Sequence, residues 1–370
     1  MKFSCEKSEL FEACMICAKA VPSKSTITAL EGYLLTADEN LRVTGFNLKE
    51  GIYRDLDADV EEPGRVVLNM KLFNEIIRRM PEGKLVVTVD DKFNVTLKCG
   101  KSNMKIKGQG SEDYPDLPSV NGTRKISLPQ NLMRNMITKT LFAASDNDMR
   151  PIYMGALFDI VGDSLSVVAV DGFRLARREE KIEKGTFEDC KFVVPATALS
   201  DIEKICTDDP DGLADIDIGD KHICFTIDDT VIISRKLEGD FIDHRKNVPT
   251  EFKYKFIVNR AELMQCISRC STIIDEKNKA PVRITFNDDK MDILCYNTVG
   301  RVEDVCLMKG DGQGIEIGFN DKYLLDALKA INEEEVSFNI NSAIAPATFT
   351  DPEAKTKYDY MVLPVRIRSN

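Results

Sequence analysis

The residues able to do chemistry occur in this sequence only as fragments of the usual constellations. Cys14 and Cys17 form a C-x-x-C, and Cys266 and Cys270 lie four apart. Such pairs hold zinc when a second pair completes the set. No second pair stands at zinc spacing, and Met15 and Ile16 place the first pair within an amphipathic helix. Both pairs therefore read as packed core thiols, and the eleven cysteines as reduced. Gly100-Lys101-Ser102 looks like the end of a phosphate loop, but Val95 stands where the first glycine is needed. Gly310-Asp311-Gly312-Gln313-Gly314 lacks dinucleotide spacing and reads as a turn. The pairs Asp90-Asp91, Asp228-Asp229 and Asp288-Asp289 could gather a divalent cation, yet each falls in a polar break between strands, where aspartate is an ordinary turn residue. Two histidines, His222 and His244, leave little for histidine catalysis, and neither H-E-x-x-H nor G-x-S-x-G is present.

The elements that position these residues repeat three times. A short strand, a polar break and an amphipathic helix open at Lys2, Lys125 and Lys255, with Leu10, Leu132 and Leu263 expected at the first buried turn. A strand after a tight turn recurs at Leu41, Leu165 and Met291, which puts Asn47, Asp171 and Asn297 in one register. A strand-to-helix passage follows, with Asn69, Pro195 and Asn320 at the helix start and Phe73, Leu199 and Leu324 four residues on. Alternating strands joined by tight turns close each unit. The spacing predicts three copies of one α+β domain: 1–122, 123–251 and 252–370. Each has two helices on one side and about eight antiparallel strands on the other.

The 370 residues are 43% hydrophobic and 30% charged, which suits a folded chain with a substantial core. No run of eighteen apolar residues occurs, and the charged N-terminal segment does not read as an export signal, so the expected location is the cytoplasm. A net charge of −11 opposes indiscriminate binding to nucleic acid. That charge is unevenly shared. The predicted helices carry +2 over 70–80, +2 over 130–145, +1 over 260–270, 0 over 7–20 and 321–331, and −1 over 196–206, so the rest of the chain is far more acidic than the whole. Helices gathered on one side would form a mildly positive surface, fit to face a polyanion without gripping it; ordinary scatter of solvated charges is the plainer alternative.

Several stretches together resemble the bacterial DNA polymerase III beta subunit family, the sliding clamps. They are Val170 to Ala176 with its Asp-Gly turn, Arg150 to Phe158, Phe241 to Pro249, and Met361 to Ile367. The resemblance covers the whole chain. It implies a DNA clamp fold: a head-to-tail homodimer closing into a ring, helices lining the hole and sheets outside. Such a ring encircles duplex DNA without regard to sequence. It tethers the DNA polymerase III alpha-type subunit, the clamp loader and other proteins with a clamp-binding motif. It needs no cofactor, has no catalytic centre, and works in the cytoplasm, at the nucleoid when loaded.

Carried over residue by residue, the resemblance places a partner-peptide pocket at Tyr153, Gly172, Phe173, Arg174, Leu175, Ile242, Lys246, Asn247, Ala345, Met361, Leu363, Pro364, Val365 and Arg366, with Arg174 and Arg366 as donors at its rim. Phe173, Ile242 and Ala345 depart from the commonest family residues but keep the pocket apolar. DNA contacts fall on Lys24, Arg78, Arg79 and Asn147. The dimer contact falls on Met104 and Ile106 of an edge strand and on Ile273 and Ile274, with Ile76, Ile77 and Met80 as either additions or core. A competing reading is an enzyme on a repeated scaffold, with Asp171 and Arg174 as a polar pair in a cleft. A third is a monomeric DNA-binding protein.

Overall fold

In the computed structural model, which describes residues 1–120, 122, 124–182, 189–209, 211–275, 277 and 279–367, one run of elements is laid down three times. The first is β1 (Lys2–Glu6), α1 (Lys7–Cys17), β2 (Gly32–Ala37), β3 (Leu41–Phe46), β4 (Glu50–Leu56), β5 (Asp59–Glu62), β6 (Gly64–Asn69), α2 (Met70–Arg79), β7 (Lys84–Val89), β8 (Asn94–Cys99) and β9 (Ser102–Lys107). The second is β10 (Arg124–Pro129), α3 (Gln130–Thr138), β11 (Gly155–Val161), β12 (Ser164–Val170), β13 (Arg174–Lys181), β14 (Cys190–Pro195), α4 (Ala196–Ile205), β15 (Leu213–Ile218), β16 (His222–Ile227) and β17 (Thr230–Arg235). A four-residue helix, α5 (His244–Asn247), leads to the third: β18 (Tyr254–Asn259), α6 (Arg260–Cys270), β19 (Val282–Phe286), β20 (Lys290–Tyr296), β21 (Arg301–Lys309), β22 (Ile315–Phe319), α7 (Asp321–Ala330), β23 (Glu335–Ile340), β24 (Ala347–Thr350) and β25 (Lys357–Val362).

Local chemistry sets the helix starts. The side-chain oxygens of Asn69, Asn259 and Asn320 accept from the amides of Leu72, Glu262 and Tyr323 at 3.1, 3.0 and 3.3 Å, which satisfies one orphan donor of each helix. Pro195 ends β14, and α4 begins at the next residue. Along α1, Leu10, Ala13, Cys14 and Cys17 are fully buried, the stripe of an amphipathic helix. Burial pushes the Cys17 thiol up to about 12, and its Sγ donates to the Val43 carbonyl. Leu263, Phe73, Leu199 and Leu324 are also fully buried. Leu132 is not: Met133 takes the core position, because counting from Lys2 and Lys125 puts Met133 at the place of Leu10. Helix α3 also stops at Thr138, short of the expected 145. The Thr140 hydroxyl bonds back to the Met136 carbonyl at 2.7 Å and a 3-10 turn, Leu141–Ala143, follows.

The chain forms two compact units, Met1–Arg134 with Ser200–Lys236, and Asn135–Leu199 with Leu237–Asn370. The first unit holds a five-stranded sheet in the order β5-β1-β7-β8-β9 and an eight-stranded sheet in the order β10-β15-β16-β17-β4-β3-β2-β6. There α1 packs on α2 and on β3 and β4. The second unit holds a twelve-stranded sheet, β14-β11-β12-β13-β25-β24-β23-β18-β21-β20-β19-β22, with α6 packed on α7, β20 and β21. The middle repeat is thus divided. Its β17 continues the first repeat's sheet through β4, and its β13 joins the third repeat through β25, both antiparallel.

Candidate functional site

The junction of β13 and β25 is built around a turn. The Asp171 carboxylate accepts from the Phe173 and Arg174 amides at 2.8 and 3.0 Å, and Gly172 takes φ +92°, a conformation that favours glycine. That turn starts β13 in a register that sets Leu175 opposite Met361 and Arg174 opposite Val362. Leu175 and Met361 are 5% and 8% exposed and share one apolar cluster with Ile152, Val170 and Val248. Tyr153, Phe241 and Ile242 are half-buried against it, with the Tyr153 and Phe241 rings edge to face at 5.4 Å. Above this floor Phe173, Leu363 and Val365 remain exposed. The Leu363 amide donates to the Phe173 carbonyl at 2.9 Å, and the Val365 amide to Gly318 at 2.7 Å, so the tail is held in place. The predicted residues from 153, 172–175, 242 and 361–365 therefore converge. Ala345 and Pro364 are half-buried; Lys246, Asn247 and Arg366 are exposed. Lys246 pairs with Asp243 at 3.1 Å, and the Asn247 amide donates to the Asp243 carbonyl.

Arg174 differs from expectation. It is not a free donor at the rim. Its Nε donates to Asp171 at 3.0 Å and its Nη1 to Asp326 of α7 at 2.7 Å, while the guanidinium lies 4.5 Å from the Tyr323 ring centroid and 5.7 Å from that of Phe142. A planar cation between two carboxylates and two rings ties the turn to α7. The same bonds occupy Asp171, so the polar pair of the enzyme reading has structural work and no spare base. Ile344, 88% exposed beside Ala345, is an apolar residue that the sequence reading missed; its signal was one large apolar side chain in a short turn of small residues, Ala343 to Ala347.

Lys24 and Asn147 are exposed, Asn147 with its Oδ1 accepting from the Met149 amide at 2.9 Å. Arg78 and Arg79 are exposed, but each lies 2.6 Å from Glu75, whose carboxyl they hold below its ordinary range. The +2 of α2 already counts Glu75, so the pairing fixes where the charges sit without lowering their sum. Lys7 of α1 is buried against Glu82.

Met104 and Ile106 are half-buried on β9, the edge of the five-stranded sheet, alternating with exposed Lys105 and Lys107. Ile273 and Ile274 are half-buried after α6, and the Ile273 carbonyl accepts from Asn297 at 2.6 Å. Ile77 and Met80 are core, at 0% and 4% exposure. A second open edge went unpredicted. Strand β21 pairs with β20 along Arg301–Leu307, but its pairing with β18 involves only Met308 and Lys309. Val305 and Leu307 on it are exposed, as are Leu72 of α2 and Val299. An open edge carries no local signature, since it is defined by the missing neighbour.

Among the described residues, no helix is long and apolar enough to cross a membrane and no cluster of potential ligands could hold a metal ion. Family profiles described as the N-terminal, central and C-terminal domains of the DNA polymerase III beta subunit match residues 1–118, 127–243 and 245–366. The beta sliding clamp of Synechocystis is 30% identical, over 99% of this chain and all of the relative; that of Bacillus subtilis is 29% identical over the same shares. Crystal structures of the DNA polymerase sliding clamp from Bacillus subtilis (28% identity, TM-score 0.94, all of both chains) and of the DNA polymerase III beta chain from Streptococcus pneumoniae (26%, 0.93, 99% of this chain and all of that one) share the fold. The chain belongs to the DNA polymerase III beta subunit family, the beta sliding clamps.

Proposed function

We infer that this protein is a processivity clamp. Two copies join head to tail into a ring around duplex DNA, and each tethers the replicative polymerase and other replication and repair proteins through the pocket at β13 and β25. It catalyses no reaction, and it acts in the cytoplasm, where the chromosome lies. We take each protomer to comprise three domains, 1–122, 123–251 and 252–370.

The observation that carries the ring is a joint used twice and left open once. Strand β4 pairs with β17, and β13 pairs with β25. The strand equivalent to β4 and β13 in the third repeat is β21; the strand equivalent to β17 in the first is β9. Both are open along most of one edge, and a second copy supplies the partner for each. The register follows from the internal joints. Hairpin pairs Phe46↔Gly51, Val170↔Leu175 and Tyr296↔Arg301 make Ile52, Ala176 and Val302 equivalent. Hairpin pairs Ile227↔Thr230 and Cys99↔Ser102 make Ile232 equivalent to Met104. Ile52 faces Ile232, and Ala176 faces Tyr360, so Val302 is set opposite Met104 of the second copy.

The helical side supports the same joint. Phe173 stacks on Tyr323, three residues past the cap of α7, at 6.3 Å. The equivalent residues, Val299 and Leu72, are the exposed pair noted above, and each would cover the other across the interface. Paired cysteines at Asn103 and Glu303, exposed and opposite in this register, test it. Oxidation should give a covalently closed ring retained on circular DNA, whereas cysteines at Asn103 and Val305 should couple poorly. Equal coupling of both pairs would refute the register.

A further inference from the structure

Beneath one wall of the pocket lies a carboxylate that the reading above does not use. Asp159 sits in the middle of β11, opposite Ser166 of β12 and Lys191 of β14, and is wholly inaccessible. A carboxylate in such a place needs partners, because an uncompensated charge out of water is strongly unfavourable. Its Oδ2 lies 2.9 Å from His244 Nε2, 2.9 Å from Arg245 Nη2 and 3.5 Å from Lys191 Nζ. His244 is itself 2% exposed, and burial, opposed by the bond to Asp159, holds its imidazole below the usual range. The neutral ring then donates from Nε2.

His244 and Arg245 are the first half of α5; Lys246 and Asn247 are the second half. Phe241, Ile242 and Val248 on either side pack on the cluster of Leu175 and Met361. The Asp159 carboxylate therefore holds the middle of the segment 241–248, and the apolar cluster holds its flanks. The first repeat solves the same problem differently. Tyr114 and Leu117, spaced like Phe241 and His244, pack on the cluster of Ala29, Leu30 and Phe46. A Cβ on Gly51, the equivalent of Leu175, would come within 2.4 Å of Leu117 Cδ2. There an apolar side chain fills the joint; in the second repeat the equivalent side chain is drawn onto a carboxylate.

We propose that Asp159 is a positioning residue for partner recognition: through His244 and Arg245 it holds α5 and its flanks in the arrangement that receives a peptide. This rests on the pocket reading above. The probe is a fluorescein-labelled decapeptide with one glutamine followed by two leucines and a phenylalanine, titrated into the full-length dimer. Leu363→Ala serves first: if it does not weaken binding, the pocket reading fails, not this proposal. With the probe so located, Asp159→Ala should weaken it roughly tenfold, mainly through faster dissociation, and speed amide exchange over 241–248. Asp159→Asn, which still accepts from His244, should recover most of the affinity. Asp159→Ala combined with His244→Ala should bind no worse than Asp159→Ala alone, because the two act as one unit. Should Asp159→Ala fail to fold, His244→Phe carries the test, with the same expected loss. Parent-like affinity in these variants, or losses that simply add, would overturn the proposal.

Discussion

Placing an aspartate at Val302 should split the ring. Val302 is half-buried in the protomer, on the open stretch of β21, so the variant has solvent at hand and should fold. In the proposed joint it faces Met104 of the second copy, with Lys105 the nearest cation on that strand, one residue off register and pointing to the other face. An unpaired buried charge costs about 3–5 kcal/mol. The ring has two such interfaces, so the dimer loses about 6–10 kcal/mol. A nanomolar dimer is held by about 12 kcal/mol, and the loss moves its dissociation constant to tens of micromolar or weaker. Sedimentation velocity at micromolar concentration should show folded monomers, with thermal melting as the control. Met104→Lys added to Val302→Asp should restore the dimer, since the new charges meet in the derived register. A Val302→Asp protein that stays dimeric at micromolar concentration would refute the joint; equal rescue by Ile106→Lys, two residues off register on the same face of β9, would refute the register alone.

Affinity for short linear duplexes should be weak and fall with salt, while protein loaded on a closed circle should persist; nanomolar binding to linear fragments at physiological salt, by fluorescence anisotropy, would contradict this. Leu363→Ala should weaken a pocket peptide by about 1 kcal/mol without changing the melting temperature, by titration and calorimetry. Deleting Leu363 to Asn370 should also lower stability by about 2 kcal/mol, because it removes the hydrogen bonds that the Leu363 and Val365 amides donate to the Phe173 and Gly318 carbonyls. Glu50 is 6% exposed, and burial and then Asp201 raise its carboxyl to about 7, above the unfolded 4.5. The folded state thus favours the protonated form, and this contribution fades as pH rises through 7. Glu50→Gln should therefore be more stable than the parent at pH 8 by up to about 3 kcal/mol and equally stable at pH 4.5, by denaturant unfolding at both pH values. His244 acts in the opposite direction: its lowered pKa makes the parent lose stability as pH falls below about 6.5, and His244→Phe should flatten that limb of a melting-temperature profile.

The triple repeat was legible because helix caps, tight turns and strand periods are written in neighbouring residues: Asn69, Asn320 and the Asp171-Gly172 turn sit where their chemistry puts them. The pocket was legible only through resemblance, since nothing local links Leu175 to Met361. Arg174 shows the limit. Its charge suggested a rim donor, but its partner Asp326 lies on helix α7, 152 residues along the chain, and tertiary pairing decides its role. Leu132 shows a smaller limit: one residue of misregister moves a side chain out of the core when the helix period is counted from the wrong start. The open edge of β21 and the division of the middle repeat depend on which distant strands meet, and no run of residues reports that.

The joints at β4–β17 and β13–β25 are backbone ladders, and a ladder reads amide and carbonyl groups, which every residue except proline supplies alike. Side chains at such a seam need only fit; they do not have to recognise. An assembly held this way has wide latitude to accumulate substitutions, and a clamp 28% identical to its Bacillus subtilis counterpart still superposes on it along the whole chain. What must change in concert is confined to the few positions where a seam is fixed by charge, such as Arg174 with Asp171 and Asp326. Evolutionary drift should therefore run freely along the ladders and in coupled steps at those corners.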